Sequence, residues 1–188
     1  MPGSLALPPA PRVVLDSNVW IDILVFDDPH TRPIHAALER GALNALIDAR
    51  CLGELTYVLD YPQFAKRAVD KAAALATVAR LAQRVGADVA RRQEQGQRPA
   101  QQHEAPQPHE EAPTQQQAPA SPLPQCKDRD DQKFLELAHT AQAQWLISKD
   151  RAVLKLARRV ARDFGFRIVQ PAQFVAACLQ PDEEAEPA

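Results

Sequence analysis

Arg12-Val13-Val14-Leu15-Asp16-Ser17-Asn18-Val19 is where the regular pattern of this 188-residue chain begins. A short apolar run rich in β-branched residues reads as a buried strand, and it stops at the acid Asp16. Ser17 and Asn18 are residue types that cap helices, and the apolar positions from Val19 to Phe26 continue as a helix. Strand, acid, helix is one unit of an α/β fold, and the same unit recurs further along. Leu43 to Ile47 reads as a second strand, followed by an amphipathic helix from Cys51 to Leu59 with Leu52, Leu55, Val58 and Leu59 on one face and Glu54 off it. Trp145-Leu146-Ile147 is a third strand ending in Ser148-Lys149-Asp150, and Phe166 to Val169 is a last one.

Helices fill the intervals. Thr31-Arg32-Pro33 opens one, with proline in its first turn, and Gly41 closes it. Alanine-rich Val69 to Val85 reads as a longer helix. Asp131 to Thr140 is helical with Phe134, Leu135 and Ala138 turned inward, and Ala152 to Arg162 is helical as well. Short apolar strands alternating with helices imply an α/β domain, a central parallel sheet covered by helices on both faces.

Composition breaks between Arg91 and Gln125. That stretch is built from Gln, Pro, Ala and Glu, has Leu123 as its only large aliphatic residue, and holds seven prolines, so neither a long helix nor a packed core is expected there. The chain therefore reads as a flexible start over residues 1–11, a domain over 12–179 interrupted by a disordered insertion over 91–125, and an acidic tail over 180–188. Cys51, Cys126 and Cys178 are odd in number and form no C-x-x-C pair, which points away from a zinc site or disulfide framework and toward a reduced, cytoplasmic protein. The start carries no signal-peptide pattern and no stretch is apolar enough for a membrane span. A net charge of -2 argues against a surface that coats nucleic acid as a whole, while leaving a local basic face open.

In open parallel sheets, ligands bind beyond the carboxyl ends of the strands. Asp16 and Asp150 each follow a strand directly, Glu54 follows the second strand by about a helical turn, and Asp131 opens a helix, where the helix dipole favours its charge. Singly each has a bland explanation: a cap or turn for Asp16, a solvated helix surface for Glu54, a capping cluster for Asp130 and Asp131. Jointly they imply a cation, because four converging carboxylates repel one another unless one neutralises them. Mg²⁺ or Mn²⁺ suits an all-oxygen donor set.

The order Val13-Val14-Leu15-Asp16-Ser17-Asn18-Val19, Glu54-Leu55, Asp128-Arg129-Asp130-Asp131-Gln132-Lys133-Phe134-Leu135 and Ile147-Ser148-Lys149-Asp150 resembles a PIN domain, most of all the bacterial PIN-domain toxins (VapC-like) of toxin–antitoxin pairs. The resemblance runs from Arg12 to about Leu179, the insertion excepted. It implies a three-layer α/β/α sandwich and a Mg²⁺- or Mn²⁺-dependent endoribonuclease. The family's metal-binding acids match Asp16, Glu54, Asp131 and Asp150, with Asp128 and Asp130 as auxiliary candidates. Ser17, Asn18 and Ser148 match polar positions that orient them. A small antitoxin protein and a homodimer are the partners it implies. Two departures stand out: Lys149 occupies a position that is often Gly in the family, and the long insertion is unusual.

An RNA substrate needs cations beside the acids. Lys149, Arg151, Lys155, Arg158, Arg159 and Arg162 follow Ser148, and within a single helix Lys155, Arg158, Arg159 and Arg162 would share a face; a solvated helix surface explains them equally well. Trp20 and Trp145 read as core residues rather than base-stacking platforms. Other classes remain: a haloacid-dehalogenase-type phosphatase, which would need an acid where Asn18 stands; a catalytically silent PIN-like binding module; and a DNA-directed nuclease, which usually carries large helical additions.

Overall fold

A computed structural model of the chain describes residues 9–65, 69–86 and 122–179. Most of the Gln/Pro-rich insertion, the acidic tail and residues 1–8 lie outside them. Five parallel strands form one sheet: β1 (Arg12–Leu15), β2 (Asn44–Ile47), β3 (Ala82–Arg84), β4 (Trp145–Ile147) and β5 (Arg167–Val169), in the order β3-β2-β1-β4-β5. Val13, Val14 and Leu15 pair with Trp145, Leu146 and Ile147, which places the ends of β1 and β4 side by side. The strand order reverses direction at this pair, so a crevice opens there beyond the carboxyl ends.

The helices are α1 (Ser17–Ile21), continued by a π-helical turn over Asp22–Phe26, α2 (Arg32–Glu39), α3 (Ala49–Val58), α4 (Pro62–Ala65), α5 (Lys71–Leu81), α6 (Gln132–Thr140), α7 (Arg151–Leu154), α8 (Ala157–Asp163) and α9 (Pro171–Cys178). They flank the sheet as the expected three-layer α/β/α sandwich. Val13, Val14, Leu46, Leu146 and Ile147 are buried in the sheet, and Phe134, Leu135 and Ala138 of α6 pack onto it as their spacing predicted. Trp20 is buried, and Trp145 packs edge-on against Phe174 of α9. Gly41 closes α2 with φ +69°, a left-handed conformation that glycine adopts without strain.

Three expectations need correction. The helix read over Val69 to Val85 ends at Leu81, and Ala82 to Arg84 instead form the edge strand β3 on β2. Alanine-rich sequence favours helix, but the open edge of β2 offers backbone hydrogen bonds that outweigh the preference. The helix read over Ala152 to Arg162 is two pieces, because the Leu156 amide bonds the Val153 carbonyl three residues back and tightens the turn there. Helix α1 is capped by Asp16, with Ser17 and Asn18 already inside its first turn. The closing helix α9 was not read from the sequence, although Pro171 at its first position and the reciprocal Gln170–Gln173 capping box mark it.

Leu135 is wholly buried and seats α6, the helix that carries Asp131, onto the sheet. Leu135→Ala is expected to cost about 2–5 kcal/mol, read from urea denaturation of the full chain. A loss under ~1 kcal/mol would show that α6 is not seated as described.

Candidate active site

The crevice beyond β1 and β4 is stitched together by two short side chains. Ser148, fully buried, donates its hydroxyl to Asp16 Oδ2 at 2.5 Å and accepts the Asp150 amide at 2.9 Å. Asn18 donates its Nδ2 to the same Asp16 Oδ2 at 2.8 Å and accepts the Lys149 amide at 3.4 Å. The loops leaving the two strands are thereby fixed to each other through the first acid. Asp150 in turn caps α7, its Oδ1 accepting the amides of Ala152 at 2.6 Å and Val153 at 3.2 Å. Ser17 is buried beside Asp16, but its hydroxyl has no hydrogen-bond partner among the described residues.

Asp131 precedes α6 without spending its carboxylate on a cap. Burial is the first cause that raises its pKa, to about 7, and the negative charges of Asp16, Asp150, Asp128 and Glu54 push in the same direction. Asp16, only 3% exposed, is raised to about 6 chiefly by burial; the Ser148 and Asn18 hydrogen bonds hold it down and Glu54 pushes it up. The acids read from the sequence thus lie within electrostatic reach of one another. Their oxygens do not all point at one spot: among the described residues, no three acidic, His or Cys side chains are already grouped to hold a metal ion. Glu54 is turned into an ion pair with Lys133 of α6. Asp128 and Asp130 are exposed, and Asp128 is occupied in a turn, accepting the Asp130 amide at 3.0 Å.

The oxygen-only donor set suits a hard divalent cation, and buried like charges that drive one another toward protonation are the electrostatic setting such an ion relieves. Asp131 feels the charges of Asp16, Asp150 and Glu54 together, so these four are the acids whose repulsion such an ion would relieve.

The basic strip is less uniform than its spacing suggested. Lys149 is paired at 2.5 Å with Asp22, a buried acid of the π-helical turn that sequence reasoning did not single out. Arg162 and Arg159 are turned to Asp163, at 2.6 and 3.9 Å. Arg151, Lys155 and Arg158 are exposed and make no ion pair among the described residues. The break at Leu156 also means that Lys155 does not share one continuous helix face with the three arginines. The cysteines are free; burial raises the Cys51 thiol far above its ordinary range, so this side chain is inert packing rather than a nucleophile.

The model of the PIN domain family matches residues 12–152, from the first residue of β1 to the first turn of α7, and takes in all four acids. The chain belongs to the PIN domain family. PIN domains are generally nucleases, and they generally use divalent metals. The match ends before α8, β5 and α9, but β5 pairs with β4 in the same sheet, so those elements complete the PIN architecture here. No curated protein matches the sequence. Among the described residues no helix is long and apolar enough to cross a membrane.

The raised carboxyl of Asp16 makes a signed prediction for the metal-free protein. Its folded-state pKa lies above its ordinary 3.8, so the folded form favours the neutral acid. That preference is fully present below about pH 4 and is lost as pH rises through about 6. In EDTA, Asp16→Asn is expected to gain stability relative to wild type between pH 4 and about pH 7, as followed by chemical denaturation. A stability difference that stays flat across that range would show that Asp16 is not buried as a charge among charges.

Proposed function

We propose that this PIN domain is a metal-dependent endoribonuclease and that it acts as the toxin of a toxin–antitoxin pair. The observation that carries the nuclease reading is the placement of Asp16 and Asp150 at the ends of adjacent central strands, tied through Ser148, with Asp131 brought in from α6. Asp16, Asp131 and Asp150 would hold Mg²⁺ or Mn²⁺, which when bound supplies charge neutralisation at the phosphate and acidifies water.

The chain's own contribution is preorganisation. Hydrogen bonds from Ser148 and Asn18 fix the Asp16 carboxylate, and two backbone amides fix that of Asp150, so neither has to reorient when substrate arrives. Arg151, Lys155 and Arg158, beyond the end of β4, are exposed cations available to substrate phosphates, as are Lys127 and Arg129 before Asp131. RNA as substrate, a small antitoxin protein that masks the site and a homodimeric state follow from the motif resemblance to bacterial toxins.

Cleavage of labelled single-stranded RNA with Mg²⁺ or Mn²⁺ tests the reading. Wild type is expected to cut, and Asp16→Asn and Asp150→Asn are each expected to lose on the order of 10²-fold or more. Equal activity in all three proteins would overturn the site. Binding without cleavage by wild type would favour a silent module, and cleavage of DNA in place of RNA would reassign the substrate.

A further inference from the structure

We propose that Lys133 is a resident cation of the acidic site: it holds Glu54 as its own counter-ion, opposes the divalent ion, and leaves Asp16, Asp131 and Asp150 as the metal-holding set. The inference rests on the metal-site reading given under Proposed function. It assigns Glu54 a positioning role through Lys133 in place of direct ligation.

Four observations point there. Lys133 Nζ is ion-paired with Glu54 Oε2 and also donates to the Asp130 carbonyl at 2.5 Å, so it is held from both sides. The two side chains are only 17% and 22% exposed, which places the pair largely out of water, where separating the charges strands a half-buried ion. Among the described residues, no other Lys or Arg is ion-paired with Asp16, Glu54, Asp131 or Asp150: Lys149 is given to Asp22, and Arg50 to Asp48 and Glu136. Lys133 lies in the first turn of α6, two residues after Asp131, and its bond to the Asp130 carbonyl keeps the cation beside that acid, while Glu54 is among the charges that act on Asp16 and Asp131.

Two cations in one acidic crevice repel. Removing the lysine charge while keeping Glu54 makes the site more negative by one charge and frees a carboxylate. A divalent ion should then bind more tightly, by on the order of tenfold or more for charges several ångströms apart. Damage to packing would weaken metal binding, so tighter binding separates the electrostatic role from a structural one.

The experiment is a Mn²⁺ titration of the full-length protein by calorimetry, with circular dichroism to verify folding. Lys133→Met and Lys133→Gln are both compared with wild type, so that one poorly folding variant does not decide the result. Both are expected to bind Mn²⁺ about tenfold or more tightly, while Lys133→Arg, which keeps the charge, stays close to wild type. Glu54→Gln alone is expected to weaken binding, because it leaves the lysine charge uncompensated. The Lys133→Met/Glu54→Gln double variant should return toward wild type. Folded Lys133→Met and Lys133→Gln with unchanged or weaker affinity, while Asp16→Asn still abolishes binding, would overturn the role of Lys133 alone. Absence of Mn²⁺ binding by wild type would overturn the metal-site reading and this inference with it.

Discussion

The Ser148 hydroxyl is the contact on which the site depends. It donates to Asp16 and accepts from the Asp150 amide, so one oxygen joins the acid at the end of β1 to the loop that leaves β4. The contact exists because the two strands are parallel neighbours in register, Leu15 opposite Ile147, so that both chains emerge at the same sheet edge. A buried hydroxyl with both its donor and an acceptor lone pair used has little freedom to rotate. The first acid is therefore oriented before anything binds.

That arrangement sets function against stability. Burial and neighbouring charge push the carboxyls of Asp16 and Asp131 upward, so the metal-free fold carries acids that would be easier to keep ionised in water. The apolar sheet and the seating of α6 by Phe134 and Leu135 offset this cost elsewhere. Local duties are shared with structural ones: Asp16 and Asp150 both cap the helices that follow them, whereas Asp131 leaves its helix uncapped. The capping explanation of an acid after a strand and the functional one are not alternatives here, because a carboxylate has more acceptor sites than a cap consumes.

Charge pairing divides the basic residues by role. Lys149 is anchored to buried Asp22 and ties the β4 loop to the π-helical turn, while Lys133 is anchored to Glu54 beside the acids. A lysine held by an acid in this way is weakly available to a phosphate. Arg151, Lys155 and Arg158 keep their charge exposed, and Arg159 and Arg162 share theirs with Asp163.

The sequence by itself determined the elements whose signals are local. Short apolar runs gave β1, which ends at Asp16, and β4, three residues before Asp150; the spacing of Phe134, Leu135 and Ala138 gave the inner face of α6, and the ordered motifs around Asp16, Glu54, Asp131 and Asp150 gave the family, all because short-range periodicity and residue type are written along the chain. Only the tertiary structure decided the rest. Ala82 to Arg84 became a strand because β2 had an open edge, the helix after Asp150 broke at Leu156, and Glu54 and Lys149 were claimed by Lys133 and Asp22. Edge pairing and ion pairing between α3 and α6, or between the π-helical turn and the β4 loop, depend on which segments the fold brings together in space, and no window of neighbouring residues records that.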